Sequence, residues 1–531
     1  MGLAAIPCEI NHIWGKIVGA VAEVTAAHRG RRHNPQDAVM KASFSGLRVG
    51  AGFASCLERQ KTSLSGCAWS PSIDRCRSCL GKMMAFVFNR WFALALYIST
   101  SSILVMAHGF AGTGSPFTAA FIAGSTLALF LLSRWADFRP DPCDFLFGIF
   151  VCSIAISFAI NGMGPDRKEM ALLLLSLAGY PAARLFGGSK AVAPSFVLLT
   201  AVIVVVAVAE TIAPLIDQWS ESYGKPHPLV FGQFGAATAN FTNSLAYLMI
   251  ALVCMRLTTA RAALVSAAVM VPTAVFAAAF VRSEFLAIGV ALLIAALTGR
   301  GRQRTHASIM ICVLIGGVVL GNLARLEIAP TFSKYANRPA TPTSWIQVDS
   351  APLPQTGSAP PPPASGEQQP TTSPQPAESA PAHTSCPVVD LHNSIAIRKQ
   401  LYLDALAIVP RAGLFGIGMD RFMDLSCIKN TEIHNTILQT IVELGWIAGA
   451  ALVALMIFAI VSLWPLAARN SEARFALSGL IFIVLLSMGH GRISHDALLF
   501  MFLGYAAGLK RTARTCESDA LRPAAGLTER S

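Results

Sequence analysis

Apolar runs long enough to cross a lipid bilayer recur about twelve times after Trp91, and this recurrence limits what the chain can fold into. They lie near 91–110, 116–133, 144–162, 169–187, 194–214, 239–257, 262–281, 284–299, 306–323, 444–466, 474–490 and 494–509. A helix needs about 20 apolar residues to span the hydrocarbon layer, and only helices or closed barrels satisfy every backbone group there. Runs of this length predict an all-α membrane protein with about twelve transmembrane helices and a large periplasmic loop between the ninth and tenth. Composition agrees, because 54% hydrophobic and 13% charged residues, with mean hydropathy +0.55, are too apolar for the surface of a soluble protein of 531 residues. The formal charge of +12 is read as a record of topology, with no nucleic acid expected as a partner.

Laying the runs alternately across the bilayer collects Lys82/Arg90, Arg134/Arg139, Arg184/Lys190, Arg256/Arg261, Arg300/Arg302/Arg304, Arg469/Arg474 and Lys510/Arg511/Arg514 on one side. The opposite short turns hold only Arg167/Lys168, Lys225, Arg282 and Arg492, so the cation-rich side is expected to be the cytoplasm, with both termini there. Residues 1–82 form a basic leader, with 11 Lys and Arg against 5 Asp and Glu (11 − 5 = +6), expected to be cytoplasmic and disordered, or to precede the true start near Met83-Met84. Residues 83–323 carry the first nine helices, 324–433 the outer loop, 434–510 the last three helices and 511–531 a cytoplasmic tail. Within the loop, 339–387 is a Pro-rich insertion that cannot pack a core and reads as an extended tether. Residues 393–409 read as a short surface helix ending at Pro410, followed by the turn Gly413-Leu-Phe-Gly416-Ile-Gly418. Cys386 and Cys427 are the two cysteines placed outside, where a periplasm permits a disulfide without two positions fixing its geometry.

Few side chains in this sequence are equipped for chemistry. His434, followed by Asn435, stands where the outer loop returns to the membrane; its imidazole suits a proton acceptor, and the plain alternative is a residue capping the helix that begins at Asn435. Arg282 stands at the outer end of a span and suits bidentate phosphate recognition, against a snorkelling side chain satisfied by Glu284 or lipid. The turn from Gly489 to Asp496 offers Arg492 and His495. Gly445 and Gly449 have the spacing of close helix packing. No Walker A loop, dinucleotide fingerprint, His-Glu-x-x-His or Asp-x-Asp pair occurs, so no cofactor and no metal are expected.

Three stretches resemble the O-antigen ligase and polymerase family of membrane glycosyltransferases. The most specific is 398–449, from Arg398-Lys399 through Gly413-Leu-Phe-Gly416-Ile-Gly418-Met-Asp-Arg421-Phe422 to His434-Asn435-x-x-Leu438 and Glu443-Leu-Gly445-x-x-x-Gly449. The others are Arg282-Ser283 opening a span, and Phe231-Gly232-Gln-Phe-Gly235 through Asn240. The resemblance implies transfer of a polyprenyl-diphosphate-linked saccharide to an acceptor hydroxyl, on lipid A-core or another glycan, at the periplasmic face of a bacterial inner membrane. It implies Arg282 and His434 as catalytic groups, with Arg398 and Lys399 as cations for the departing diphosphate; Asn435 and Asn240, within the resembling stretches, and Arg492 and His495, from the turn, are the further substrate contacts expected. Ligase, polymerase and protein O-glycosyltransferase are all compatible with it; a polysaccharide transporter is the reading from a different class, for which internal repeats and midplane charges are wanting.

Overall fold

Each of the twelve apolar runs is helical in the computed structural model, which describes residues 89–132, 140–164, 166–186, 192–221, 230, 236–255, 257–279, 282–326, 386, 387, 389, 394–429 and 431–520. The chain divides into two units, Met1–Asn89 and Arg90–Ser531, and nearly all described residues belong to the second. The leader, the Pro-rich insertion up to residue 385 and the stretch Phe231–Gly235 lie outside the described residues. In order, the helices are α1 Arg90–Ile98, α2 Thr100–Ala111, α3 Ser115–Leu131, α4 Pro142–Asn161, α5 Arg167–Arg184, α6 Pro194–Glu221, α7 Ala236–Cys254 and α8 Thr259–Ala278. They continue with α9 Arg282–Thr298, α10 Arg302–Leu326, α11 Ser394–Ile408, α12 Phe422–Leu425, α13 Thr436–Gln439, α14 Trp446–Ala467, α15 Ser471–His490 and α16 Ala497–Ala520.

Among the described residues, seven helices are long and apolar enough to cross a membrane by themselves, and the bent pair α1–α2 adds an eighth if it is one span. Three shorter apolar helices, Pro116–Leu131, Ser283–Thr298 and Ala497–Lys510, accompany them. The protein is thus an all-α, multi-pass membrane protein. Large side chains such as Leu264 (73% exposed), Leu286 (73%) and Val461 (65%) stand on the outside of the bundle, where lipid, unlike water, accepts them. The core surrounds Ala237–Cys254, 83% of whose apolar window is buried, against 28% for Pro142–Asn161.

Several boundaries differ from the sequence reading for visible reasons. The run 91–110 is broken at Ser99, its halves meeting at 66°. Beside the break, Thr100 Oγ1 donates back to the Leu96 carbonyl at 3.0 Å and Ser102 Oγ reaches the Asn240 carbonyl at 2.8 Å, hydroxyl bonds of the kind that bend helices. The last helix runs on to Ala520, so the expected tail from 511 begins as helix. One end of the bundle is tied by Asp144, which accepts from Arg184 Nε at 2.7 Å, Arg184 Nη2 at 2.8 Å and Tyr180 Oη at 2.9 Å, while also completing a capping box with Asp141.

The loop helix α11 ends one residue short of the expected Val409 and passes into a 3-10 turn at Val409–Arg411. Its Leu401, Ala405 and Ile408 fall on one helical face and pack on Phe422, Ile428 and Ile433, a small apolar cluster separate from the main core. Asp404, on the same helix, accepts from Ser426 Oγ at 2.9 Å and the Cys427 amide at 2.8 Å. Cys427 is disulfide-bonded to Cys386, with Cα atoms 5.6 Å apart.

Candidate functional site

The local frame of the site is a backbone clasp. Residues Thr440–Leu444 form a π-turn, and Gly445 then leaves the helix with φ +95° before α14 begins. The carbonyls of Val442 and Glu443 accept from the amides of Ile417 and Gly418, both at 3.0 Å, while the amides of Trp446 and Ile447 donate to the carbonyls of Gly413 and Leu414. A Cβ on Gly445 would lie 2.2 Å from the Leu414 carbonyl oxygen, and one on Gly416 2.2 Å from that of Glu443. Gly445 therefore serves the clasp and not the helix-to-helix packing that its spacing with Gly449 predicts. Gly449 packs on Ile441 of its own segment.

The clasp delivers Asp420, which has φ +62°, to Arg492. Arg492 Nη2 donates to Asp420 Oδ1 at 2.9 Å, Nη1 lies 3.2 Å from Glu169 Oε1, and Nε contacts Glu432 Oε2. Glu169 also takes the Ser494 hydroxyl at 2.7 Å and faces His495 Nε2 at 3.2 Å. Burial pushes the Asp420 and Glu432 carboxyls above the ordinary carboxylate range, against the pull of the guanidinium both touch. With three carboxylates around it, Arg492 is neutralised internally and ties α5, the glycine turn and the loop before His434 to the start of α16. His495 is half exposed and held by Glu169, on the rim of the same cluster.

His434 lies beside this cluster, and the helix cap is provided by Asn435 instead: its Oδ1 accepts from the Leu438 amide at 2.9 Å and its Nδ2 donates to the Met488 carbonyl at 3.1 Å. The imidazole of His434 is left to line a cavity of about 530 Å³, shared with Asn240, Asn243, Glu284, His490 and Arg492. Burial, and then the nearby Arg398 guanidinium, hold His434 below the usual imidazole range, so the ring is neutral at pH 7. Its main-chain carbonyl accepts from Tyr402 Oη at 3.1 Å.

A second histidine completes the wall. Arg398 Nη2 meets His490 Nδ1 at 3.1 Å, and Ser283 Oγ meets His490 Nε2 at 2.6 Å. A guanidinium can only donate, so Nδ1 is the acceptor and the neutral ring carries its proton on Nε2, directed at Ser283. Arg398 faces no carboxylate among the described ion pairs, unlike Arg492. Lys399 is exposed and does not line the cavity. Arg282 opens α9 one residue before Ser283, but its side chain lies outside the described residues. Glu284, the suggested partner of Arg282, is 6% exposed, and its Oε2 has no hydrogen-bond partner among the described residues.

The sequence reading thus brings together His434, Asn435, Arg398, Asn240 and the Arg492–His495 turn. It passed over His490 as an individual, and over Glu169, Asp420 and Glu432, and gave Glu284 only as a partner for Arg282. Acidic residues at the ends of apolar runs were the available signal, since a carboxylate at that depth needs a partner or a function. Among the described residues no group of three or more His, Cys, Asp or Glu side chains is placed to hold a metal ion. Compared with known proteins, the chain matches no family model and no curated sequence.

Proposed function

We propose that the protein is a metal-independent glycosyltransferase of the O-antigen ligase type, moving a saccharide from a polyprenyl diphosphate to an acceptor hydroxyl at the periplasmic face of a bacterial inner membrane. The observation that carries this reading is a neutral imidazole, His434, in the wall of a cavity at the helix ends, with the Arg398 guanidinium bound to His490 of the same wall and paired with no carboxylate among the described residues. A base of this kind takes the proton of the acceptor hydroxyl as its oxygen bonds to the anomeric carbon. The bond from that carbon to the diphosphate oxygen breaks with its electron pair, and the negative charge departs toward Arg398, joined by Arg282. Direct displacement inverts the anomeric centre. Arg492, already neutralised, positions the loop that carries His434 instead of meeting the diphosphate.

In this reading all twelve helical runs cross the bilayer, with α1–α2 counted as one broken span and α5 and the shorter helices completing the set. The cation-rich turns are cytoplasmic, as are both termini, and the His434 cavity is periplasmic. A disulfide between Cys386 and Cys427 belongs in such an oxidising compartment. The acceptor is lipid A-core; a polymerase extending a glycan uses the same bond changes.

The test is the surface polysaccharide of a deletion strain carrying wild-type, His434→Ala or Arg282→Ala protein at matched membrane levels. Loss of capped or lengthened glycan with accumulation of the lipid-linked donor is the expected outcome, and the chain-length pattern separates ligation from polymerisation. A normal profile from both variants would remove the assignment and leave transport as the better reading.

A further inference from the structure

The bundle holds a second cavity, of about 680 Å³, at the end away from His434, and glycosyl transfer makes no use of it. The separation follows from the helices that border both. Near one end, α7, α9 and α15 supply Asn240, Glu284 and His490 to the first cavity; at the other end the second takes Met255 and Arg300, just past α7 and α9, and Ser471, the first residue of α15. The 20 residues of α15 alone put about 30 Å between them.

Three interhelical turns meet at this second cavity, those before α8, α10 and α15, so three helix N-termini converge on it. Thr258 and Asn470 cap two of them, and the positive ends of all three dipoles favour a negative charge in the space between. Arg300, Arg302 and Arg469 line it, and among the described residues no Asp or Glu does. None of the three arginines is in an ion pair among the described residues. The acid next in sequence, Glu472, is fully buried and accepts from Tyr505 Oη at 3.1 Å. His306, 5% exposed, also lines the cavity, and its Nδ1 has no hydrogen-bond partner among the described residues. A concave, cation-lined space within the usual range of about 300–1,000 Å³ for a ligand site is more than the scattered positive charge that topology requires. Arg261 and Arg304 provide the contrast: all five arginines are exposed, but these two, in the first turns of α8 and α10, do not line the cavity.

We propose that this cavity binds the phosphate of an anionic membrane-lipid headgroup, with Arg300, Arg302 and Arg469 as its guanidinium ligands. The site stands at the ends of membrane-crossing helices, which is headgroup depth, and arginine forks match phosphate oxygens in pairs. A lipid held there would pin the α9–α10 and α14–α15 turns to one leaflet.

Native mass spectrometry of the full-length protein released from detergent, titrated with phosphatidylglycerol, phosphatidylcholine or inorganic phosphate, tests this. Wild type is expected to retain phosphatidylglycerol in preference to phosphatidylcholine. The Arg300→Gln/Arg469→Gln double variant should bind it about tenfold or more weakly, the equivalent of losing one charged hydrogen bond or more. The charge-matched Arg261→Gln/Arg304→Gln variant should bind it as wild type does, and an unchanged elution volume shows that both variants are folded. Equal weakening in both variants, or none in either, overturns the site. If inorganic phosphate binds in a way that only the first variant loses, while phosphatidylglycerol shows no advantage over phosphatidylcholine, the lipid headgroup is overturned in favour of a soluble phosphate.

Discussion

At the scale of single residues, the division of labour is between a neutralised arginine and an unneutralised one. Because burial and Arg398 both hold His434 below the usual imidazole range, its proton is lost at lower pH than that of a free imidazole. Glycosyl transfer should therefore rise with pH through a midpoint below about 6.5 and be flat above it, since only the unprotonated ring accepts the acceptor proton. Arg398→Gln removes one of the two influences, so the midpoint should move up in pH while the plateau rate falls about 100-fold; a pH–rate profile of membranes carrying each variant measures both. His434→Ala should lower the plateau by about 10²–10⁴ with no change in membrane abundance. Arg492 predicts a different phenotype. Arg492→Gln leaves Glu169, Asp420 and Glu432 facing one another, and should destabilise the protein by about 3 kcal/mol, seen as a lower unfolding temperature in detergent, with partial rescue by Asp420→Asn. His434 and Arg492 were legible in the sequence because histidine and arginine are conspicuous at a membrane surface. Their difference in role was not, because the carboxylates that neutralise Arg492 arrive from positions 169, 420 and 432, far apart in the chain.

At the scale of elements, the helices were legible as apolar runs because a lipid solvent demands an unbroken apolar pattern of each helix that crosses it. Breaks inside a run were not. The hydroxyl bonds of Thr100 and Ser102 stand at the bend of α1 against α2, and the bend shapes the cavity wall, which Tyr97, Thr100 and Ser101 line. The clasp between the glycine turn and the π-turn is the element on which the site depends most. Gly445→Ala must place a Cβ 2.2 Å from a carbonyl oxygen at φ +95°, so it should cost at least about 2 kcal/mol and abolish transfer. Gly148→Ala, in the middle of α4 with nothing within 4 Å of its Cβ, should leave activity intact and stabilise the helix by about 0.5–1 kcal/mol. Thermal unfolding and a transfer assay on the pair decide it: if both variants behave alike, the clasp has no special part in the fold.

At the scale of the whole molecule, the two cavities are separated by roughly the thickness of the hydrocarbon layer, so sidedness decides what each can meet. Under the proposed function the donor presents its saccharide on the outer surface, which requires a periplasmic His434 cavity; the arginine cavity would then face the cytoplasmic leaflet and its anionic lipid. Topology is open to direct measurement because α14 and α15 connect the two ends by single passes. Alkaline phosphatase, which folds only where disulfides form, should be active when fused after Arg492 and inactive when fused after Arg469 or Arg300. The cation census that orients the chain counts many weak contributions, and no one turn fixes it, whereas each fusion reports one turn alone. Activity after Arg300 and Arg469 with none after Arg492 would invert the molecule, place His434 in the cytoplasm and end the case for a polyprenyl-linked donor on the outer face. Activity at all three would mean that α15 does not cross, and the common wall it forms for both cavities could not then stand across a bilayer.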